Sequence, residues 1–195
     1  APNEDPIATA VFIAPPNAVT FNDETWEPLP RGSSTPGVLG VSGPMPQGYF
    51  RDEAKSAQTF KVINGVRYTI PGDYALINEQ GVMQLLGRGS VCINSGGEKI
   101  YPEEVEVAAR SIAGIADCTV VGVPDDRFGN AVTAVVSRLP GATVTTEELL
   151  SEMRKTLAAY KCPRHVLFVD AVYRSPSGKA DYNITRDIAI NLLKS

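Results

Sequence analysis

Leu86-Gly87-Arg88-Gly89-Ser90-Val91-Cys92-Ile93-Asn94-Ser95-Gly96-Gly97-Glu98-Lys99-Ile100-Tyr101-Pro102-Glu103-Glu104-Val105-Glu106 divides a 195-residue chain into two textures. Its end reads as a helix start. Pro102 occupies a first helical position, where a missing N–H costs nothing, and Glu103 and Glu104 meet the positive end of the helix dipole. Val105, Ala108, Ala109 and Ile112 then recur at helical spacing. Beyond them, residues 119–123 form a short apolar, β-branched strand, 125–130 a turn and 131–138 a second strand. Thr146-Glu147-Glu148 opens another helix, whose apolar stripe of Leu149, Leu150, Met153 and Leu157 runs to about Tyr160. Residues 166–169 read as a strand and 184–193 as a closing amphipathic helix. Strands that alternate with helices predict a small α/β or α+β domain with one sheet.

Upstream the texture differs. Nine of the 15 prolines precede residue 47, and the first 50 residues carry one base, Arg31, against five acids. Residues 51–195 balance at 17 bases and 17 acids, so the net charge of −4 lies entirely in the first stretch. Short strand-like pieces at 18–21 and 38–42 sit between turn clusters, which reads as β-rich irregular structure. The acidic balance argues against a bulk nucleic-acid binder. No stretch approaches the ~18 apolar residues of a membrane helix, and Ala1-Pro2-Asn3-Glu4-Asp5 shows no leader pattern. Cys92, Cys118 and Cys162 are scattered, without a CxxC pair. They read as reduced core thiols, which fits a cytoplasmic setting. With one histidine, His165, in the chain, no transition-metal site is expected.

Four polar spots interrupt this pattern. Pro71-Gly72-Asp73 opens a strand, and Asp73 is either an acceptor for a vicinal diol such as ribose or the start of an Asx turn. Arg88, between glycines, is either a phosphate-binding guanidinium or an exposed linker arginine. Gly96-Gly97 either admits a ligand close to the backbone or simply turns the chain from strand to helix; the spacing is not that of a Walker loop. Lys179, behind Ser177-Gly178, is either a mobile cation that neutralises oxyanion charge at phosphorus or a solvated loop lysine. The run Glu103-Glu104-Val105-Glu106 reads as a solvated helix face, Asp125-Asp126 as turn chemistry, and His165 as packing or surface.

Taken together and in order, these segments resemble the C-terminal part of the adenylate-forming superfamily: acyl-CoA synthetases, luciferases and peptide-synthetase adenylation domains. The resemblance spans roughly residues 37–190. It rests on Gln47-Gly48-Tyr49-Phe50, Pro71-Gly72-Asp73, Gly87-Arg88, residues 96–106, residues 117–128, Ala159-Tyr160-Lys161-Cys162-Pro163-Arg164 and Ser177-Gly178-Lys179. The wording of residues 89–99 is most similar to bacterial fatty-acyl-CoA or steroid-side-chain-CoA ligases.

The resemblance implies an α+β lid domain over 91–195, a small mixed sheet flanked by helices. A hinge at 87–90, with Ser90 at the pivot, precedes it. Residues 1–86 become the β-rich, barrel-like end of a large AMP-binding domain, most of which this chain lacks. It also implies ATP, Mg2+ and CoA as cofactors, with Mg2+ and most ATP contacts left to that N-terminal domain, the chain's expected partner beside an acyl carboxylate. Asp73 would then hold ribose, Arg88 ribose or phosphate, and Lys99 phosphate. Gly97 would line a pantetheine passage, and Lys179 would act on the α-phosphorus. Alone, the chain is expected to complete no turnover. Ser90 stands where Asp or Lys is usual, Ile70-Pro71 replaces a Thr, Tyr173-Arg174 replaces Pro-Arg, and Ala180-Asp181 replaces an apolar-Asp-Arg run. Two other readings remain: an acyl-AMP ligase that loads a carrier protein, and a non-catalytic interaction module.

Overall fold

The computed structural model describes residues 11–194; the leader reading of residues 1–5 lies outside them. Contacts divide the described chain into two compact units, one ending at Ser90 and the other beginning at Val91.

The N-terminal unit is an antiparallel β structure. Its strands are β1 (Val11–Ile13), β2 (Ala18–Phe21), β3 (Gly37–Ser42), β4 (Phe60–Ile63), β5 (Val66–Thr69), β6 (Asp73–Ile77) and β7 (Val82–Arg88). One helix, α1 (Glu53–Thr59), precedes β4 and is capped by Asp52, whose side chain accepts from the Lys55 N–H. The strand order is β1-β7-β6-β3-β5-β4, with β2 also on β3. Two apolar clusters fill the unit. Ala18, Leu39, Ala75, Ile77 and Met83 form one, and Phe21, Val38 and Ile70 the other.

The C-terminal unit has the layered α+β build that the alternation predicts. A hairpin of β8 (Ile93–Ser95) and β9 (Glu98–Ile100) leads into α2 (Pro102–Arg110). The long strands β10 (Ile115–Asp125) and β11 (Gly129–Arg138) follow, then α3 (Thr146–Met153), β12 (His165–Val169) and α4 (Tyr182–Lys194). β10 pairs antiparallel with β11, and β12 pairs parallel with β11. A parallel neighbour needs a crossover, which α3 provides. Both faces of the sheet are covered, so β10 and β11 are apolar on both. Val120, Val132, Ala134 and Val136 pack with Val105, Leu149 and Met153, while Val121, Val123 and Val135 pack with Ala189 of α4. No helix among the described residues is long and apolar enough to cross a membrane.

Several expectations need correction. α3 stops at Met153 rather than near Tyr160. The apolar spacing continues because Leu157, 7% exposed, still packs into the core from a turn whose N–H bonds Met153 O at 2.9 Å. A separate 3-10 turn then covers Ala159–Lys161. The acidic run of α2 is not a solvated face. Glu106 is buried, and Glu104 accepts from Lys161 Nζ through both oxygens at 2.7 and 2.8 Å. Cys118 and Cys162 are core thiols, but Cys92 is only half-buried; among the described residues none of the three is in a disulfide. Asp125 does the turn work expected of it, its Oδ1 accepting from the N–H groups of Arg127 and Phe128 at 2.9 Å each.

α3 begins with a reciprocal cap: Thr145 Oγ1 accepts from Glu148 N at 3.2 Å, and Glu148 Oε2 accepts from Thr145 N at 2.9 Å. Thr145→Ala is expected to lower the unfolding free energy by about 1 kcal/mol, read from urea titration, with Thr145→Ser near native. Equal loss in both variants would show that the hydroxyl is not the stabilising group.

Candidate functional site

In the N-terminal unit the antiparallel register sets Asp73 opposite Arg88, and Arg88 Nε lies 3.5 Å from Asp73 Oδ1. Two residues far apart in sequence thus meet at one end of the β6–β7 ladder. The Asx-turn alternative for Asp73 is not what forms: its carboxylate faces the guanidinium. Arg88's side chain is 69% exposed. An ion pair this open contributes about 0–1 kcal/mol, so either partner is easily redirected to a ligand's diol or phosphate. Beside Gly72 opens a cavity of about 400 Å3, lined among others by Trp26, Gln58, Lys61, Tyr74 and Ser90. Tyr74 donates to Asp23 Oδ2 at 2.8 Å, and its ring covers Gly89 so closely that a Cβ there would lie 2.5 Å from Cε2. Gly89 therefore has no room for a side chain, while Ser90 is exposed.

In the C-terminal unit Gly96 and Gly97 are neither a helix lead-in nor a long loop. They are the two turn residues of the β8–β9 hairpin, with Ser95 paired to Glu98 and φ of +61° and +88°. Positive φ at both positions is the backbone a two-residue hairpin of this twist needs. A Cβ on Gly97 would meet nothing within 4 Å, so the space before it is open. Phe128 backs the turn: its carbonyl accepts from Gly96 N at 2.9 Å, and its ring lies 3.5 Å from the Arg164 guanidinium. Lys99 is exposed on β9, opposite Asn94.

Lys179 stands on a small, well-defined turn rather than a loose loop. Gly178 N donates to Ser175 O at 2.8 Å, Ser175 N donates to Lys179 O at 2.9 Å, and Arg174 bridges Ala180. Ser-Pro-Ser-Gly suits this turn, with Pro176 at its second position and Gly178, φ +78°, as the left-handed residue after it. The Lys179 side chain is exposed, and among the described residues nothing ion-pairs with its ammonium. At the far foot, Asp181 Oδ1 accepts from Ile184 N at 3.1 Å and caps α4.

Behind that hairpin lies a charged cluster which the sequence reading did not single out. Arg174 grips Asp117 with two donors, Nε to Oδ2 at 2.8 Å and Nη2 to Oδ1 at 2.5 Å. Arg110 Nη1 donates to Cys118 O at 3.0 Å and lies 3.9 Å from Asp117 and 3.5 Å from Glu106. Glu106 Oε1 accepts from Val120 N at 3.0 Å. Burial pushes the Glu106 carboxyl above its ordinary value, against the pull of the Val120 N–H and Arg110. For Asp117 burial acts upward, but the Arg174 hydrogen bonds, the Cys118 N–H and the charges of Arg174 and Arg110 outweigh it and hold the carboxyl low. Burial, and then the negative charge of Glu106 and Glu103, push the Tyr182 hydroxyl up. The sequence did carry a signal. Glu106 shares the apolar stripe of Val105 and Ala109, with an arginine one turn on.

Comparison with known proteins bears on these segments. Residues 104–179 match the AMP-binding enzyme C-terminal domain. The chain is 49% identical over 170 residues to the 3-oxocholest-4-en-26-oate--CoA ligase of Rhodococcus rhodochrous, a match covering 87% of this chain and 31% of that protein. It is 52% identical over 169 residues to the medium/long-chain-fatty-acid--CoA/3-oxocholest-4-en-26-oate--CoA ligase of Mycobacterium tuberculosis, again over 87% and 31%. The chain thus spans about a third of the length of these relatives. Among solved structures, ATP-bound MatB from Rhodopseudomonas palustris aligns with a TM-score of 0.76 at 34% identity, covering 93% of this chain and 34% of that one.

The raised Glu106 carboxyl has a consequence for stability. The folded state holds this proton more tightly than the unfolded chain, so the stabilisation is complete below the ordinary value of 4.5 and is lost as pH rises through the folded value. Glu106→Gln has no proton to lose, so its urea midpoint is expected to gain on the native one as pH climbs from about 4.5 to 7. Parallel curves would contradict this.

Proposed function

This chain carries the C-terminal domain of an AMP-binding, adenylate-forming enzyme, and from that premise we propose that the whole protein is an acyl-CoA ligase. The reaction has two steps. A carboxylate oxygen attacks the α-phosphorus of ATP, the new O–P bond forms as the bond to pyrophosphate breaks, and acyl-AMP results. The thiol of CoA, having given up its proton, then attacks the acyl carbonyl, and AMP leaves with the bonding pair.

The observation that carries this reading is the exposed Lys179 ammonium on a hairpin held at both feet. Charge builds on the phosphoryl oxygens as the pentavalent centre forms. A preplaced cation lowers that barrier, and one such donor is typically worth about 10^2–10^3 in rate. Lys179 takes that role. Asp73 accepts from the ribose hydroxyls, and Arg88, released from its weak pair, binds ribose or phosphate. Lys99 contributes positive charge near phosphate. Gly97 presents bare backbone to the pantetheine arm, and the open space before it fits that use. Ser90, the last residue of the N-terminal unit, serves as the pivot that brings first Lys179 and then Gly97 to the reacting centre. The bulk of the nucleotide and acyl sites belongs to the preceding domain.

ATP brings Mg2+ to such a reaction. Among the described residues no three His, Cys, Asp or Glu side chains gather into a ligand set, which leaves the metal to ATP itself and to the rest of the protein. CoA as acceptor, rather than a carrier protein, is supported by the names of both ligase relatives. Those names also support a fatty or steroid side-chain acid as the substrate class. Three cysteines outside any disulfide fit a cytoplasmic setting.

In the full-length protein, Lys179→Ala is expected to lower ATP–pyrophosphate exchange about 10^2-fold or more. Thioester formation from supplied acyl-adenylate is expected to stay within about twofold of native. Unchanged exchange would overturn the assignment.

A further inference from the structure

We propose that the Asp117–Arg174 ion pair, backed by Arg110 and Glu106, is the positioning element that sets where the Lys179 ammonium is delivered. This rests on the adenylation reading above and assigns a role to residues that reading does not use. Ser175 is half-buried and Pro176, Ser177, Gly178 and Lys179 are exposed, so no apolar side chain seats the hairpin tip. Its placement depends on its two feet. One is Asp181, tied to the start of α4. The other is Arg174, whose backbone bridges Ala180, the neighbour of Lys179, and whose guanidinium is clamped on Asp117.

The clamp has its own support. Asp117 sits just past the irregularity in β10 between Ile115 and Asp117, and its Oδ1 also accepts from Cys118 N at 2.8 Å. That carboxylate is therefore oriented before Arg174 arrives. Arg110 donates to Cys118 O and reaches both Asp117 and Glu106, so the anchor extends into α2. A planar bidentate fork fixes direction as well as distance, which a single ammonium contact does not. Loss of the fork leaves the hairpin hydrogen bonds intact but frees the whole turn to tilt on its remaining foot. A displacement of about 1 Å at a reacting centre can cost about 10^2 in rate.

The experiment uses the full-length protein with dodecanoic acid and synthetic dodecanoyl-adenylate, comparing Arg174→Gln, Arg174→Lys, Asp117→Asn and the double variant Asp117→Asn/Arg174→Gln. Arg174→Gln is expected to lower kcat for ATP–pyrophosphate exchange about 10–100-fold, with KM for ATP and the rate of CoA transfer from supplied adenylate each within about twofold. Arg174→Lys, which keeps the charge and loses the fork, is expected to fall between native and Arg174→Gln. The double variant is expected to be no slower than the slower single one, as for two members of one unit. Equal losses in both half-reactions would mark the pair as merely structural and overturn the proposal. So would native exchange rates in variants that fold. If Arg174→Gln does not fold, Arg174→Lys and Asp117→Asn decide by the same split between half-reactions. Lys179→Ala, run alongside, separates the two claims. If it abolishes exchange while the Arg174 and Asp117 variants stay native, the positioning role fails and the adenylation reading stands. If it leaves exchange intact, the adenylation reading itself fails.

Discussion

Glu106 places a carboxylate on the apolar face of α2, 3% exposed, and much of the C-terminal unit is organised around answering that charge. Removing a carboxylate from water costs several kcal/mol unless partners replace the lost hydration. Here the Val120 N–H of the neighbouring strand supplies one donor and Arg110, a turn further along α2, supplies charge. Arg110 is then committed to the Cys118 carbonyl and leans toward Asp117, and Asp117 engages Arg174. A line of alternating charge therefore runs from the middle of a core helix to the foot of the hairpin that bears Lys179. The apolar layers on either side of β10 and β11 pack the sheet against α2, α3 and α4. The polar line fixes one exposed turn against it.

Two arginine–carboxylate pairs in this molecule show how geometry separates anchoring from exchange. Arg174 and Asp117 meet through two short bonds, each side chain less than a third exposed. Arg88 and Asp73 meet through one contact at 3.5 Å, with the arginine mostly in solvent. The first pair joins two segments far apart in sequence; the second holds two polar side chains near each other at little cost to release. The glycines divide in the same way. Gly97 and Gly178 answer positive φ with open space around them, whereas Gly89 leaves room for the Tyr74 ring.

Local patterns carried most of the fold. Pro102 with its acids marked α2, Glu147 and Glu148 marked the start of α3, and the apolar runs marked β10, β11 and β12, which together gave the α+β build. What the sequence hid was decided by tertiary context. An acid among acids at a helix start looks solvated until a neighbouring strand covers it, as happens to Glu106. Leu157 keeps helical spacing because it must reach the core, although its backbone has already left the helix. The Gly96-Gly97 turn looked like a lead into α2 because β8 and β9 are only three residues each, too short to show alternation. Of the site, Asp73 and Arg88 were each legible as polar interruptions, but their pairing follows from the β6–β7 register. The Asp117–Arg174 clamp joins positions 57 residues apart and has no local signature.

The proposed adenylation needs the ammonium of Lys179 to reach the nucleotide on a turn tied to Asp117 and to the start of α4. Lysine-reactive footprinting of the full-length protein, read by mass spectrometry with and without a non-hydrolysable acyl-adenylate analogue, tests it directly. Lys179 is expected to label readily in the free protein and to be strongly protected by the analogue, while Lys155, paired with Glu152 on the exposed surface after α3, is expected to label equally in both. Equal labelling of Lys179 with and without the analogue would contradict it.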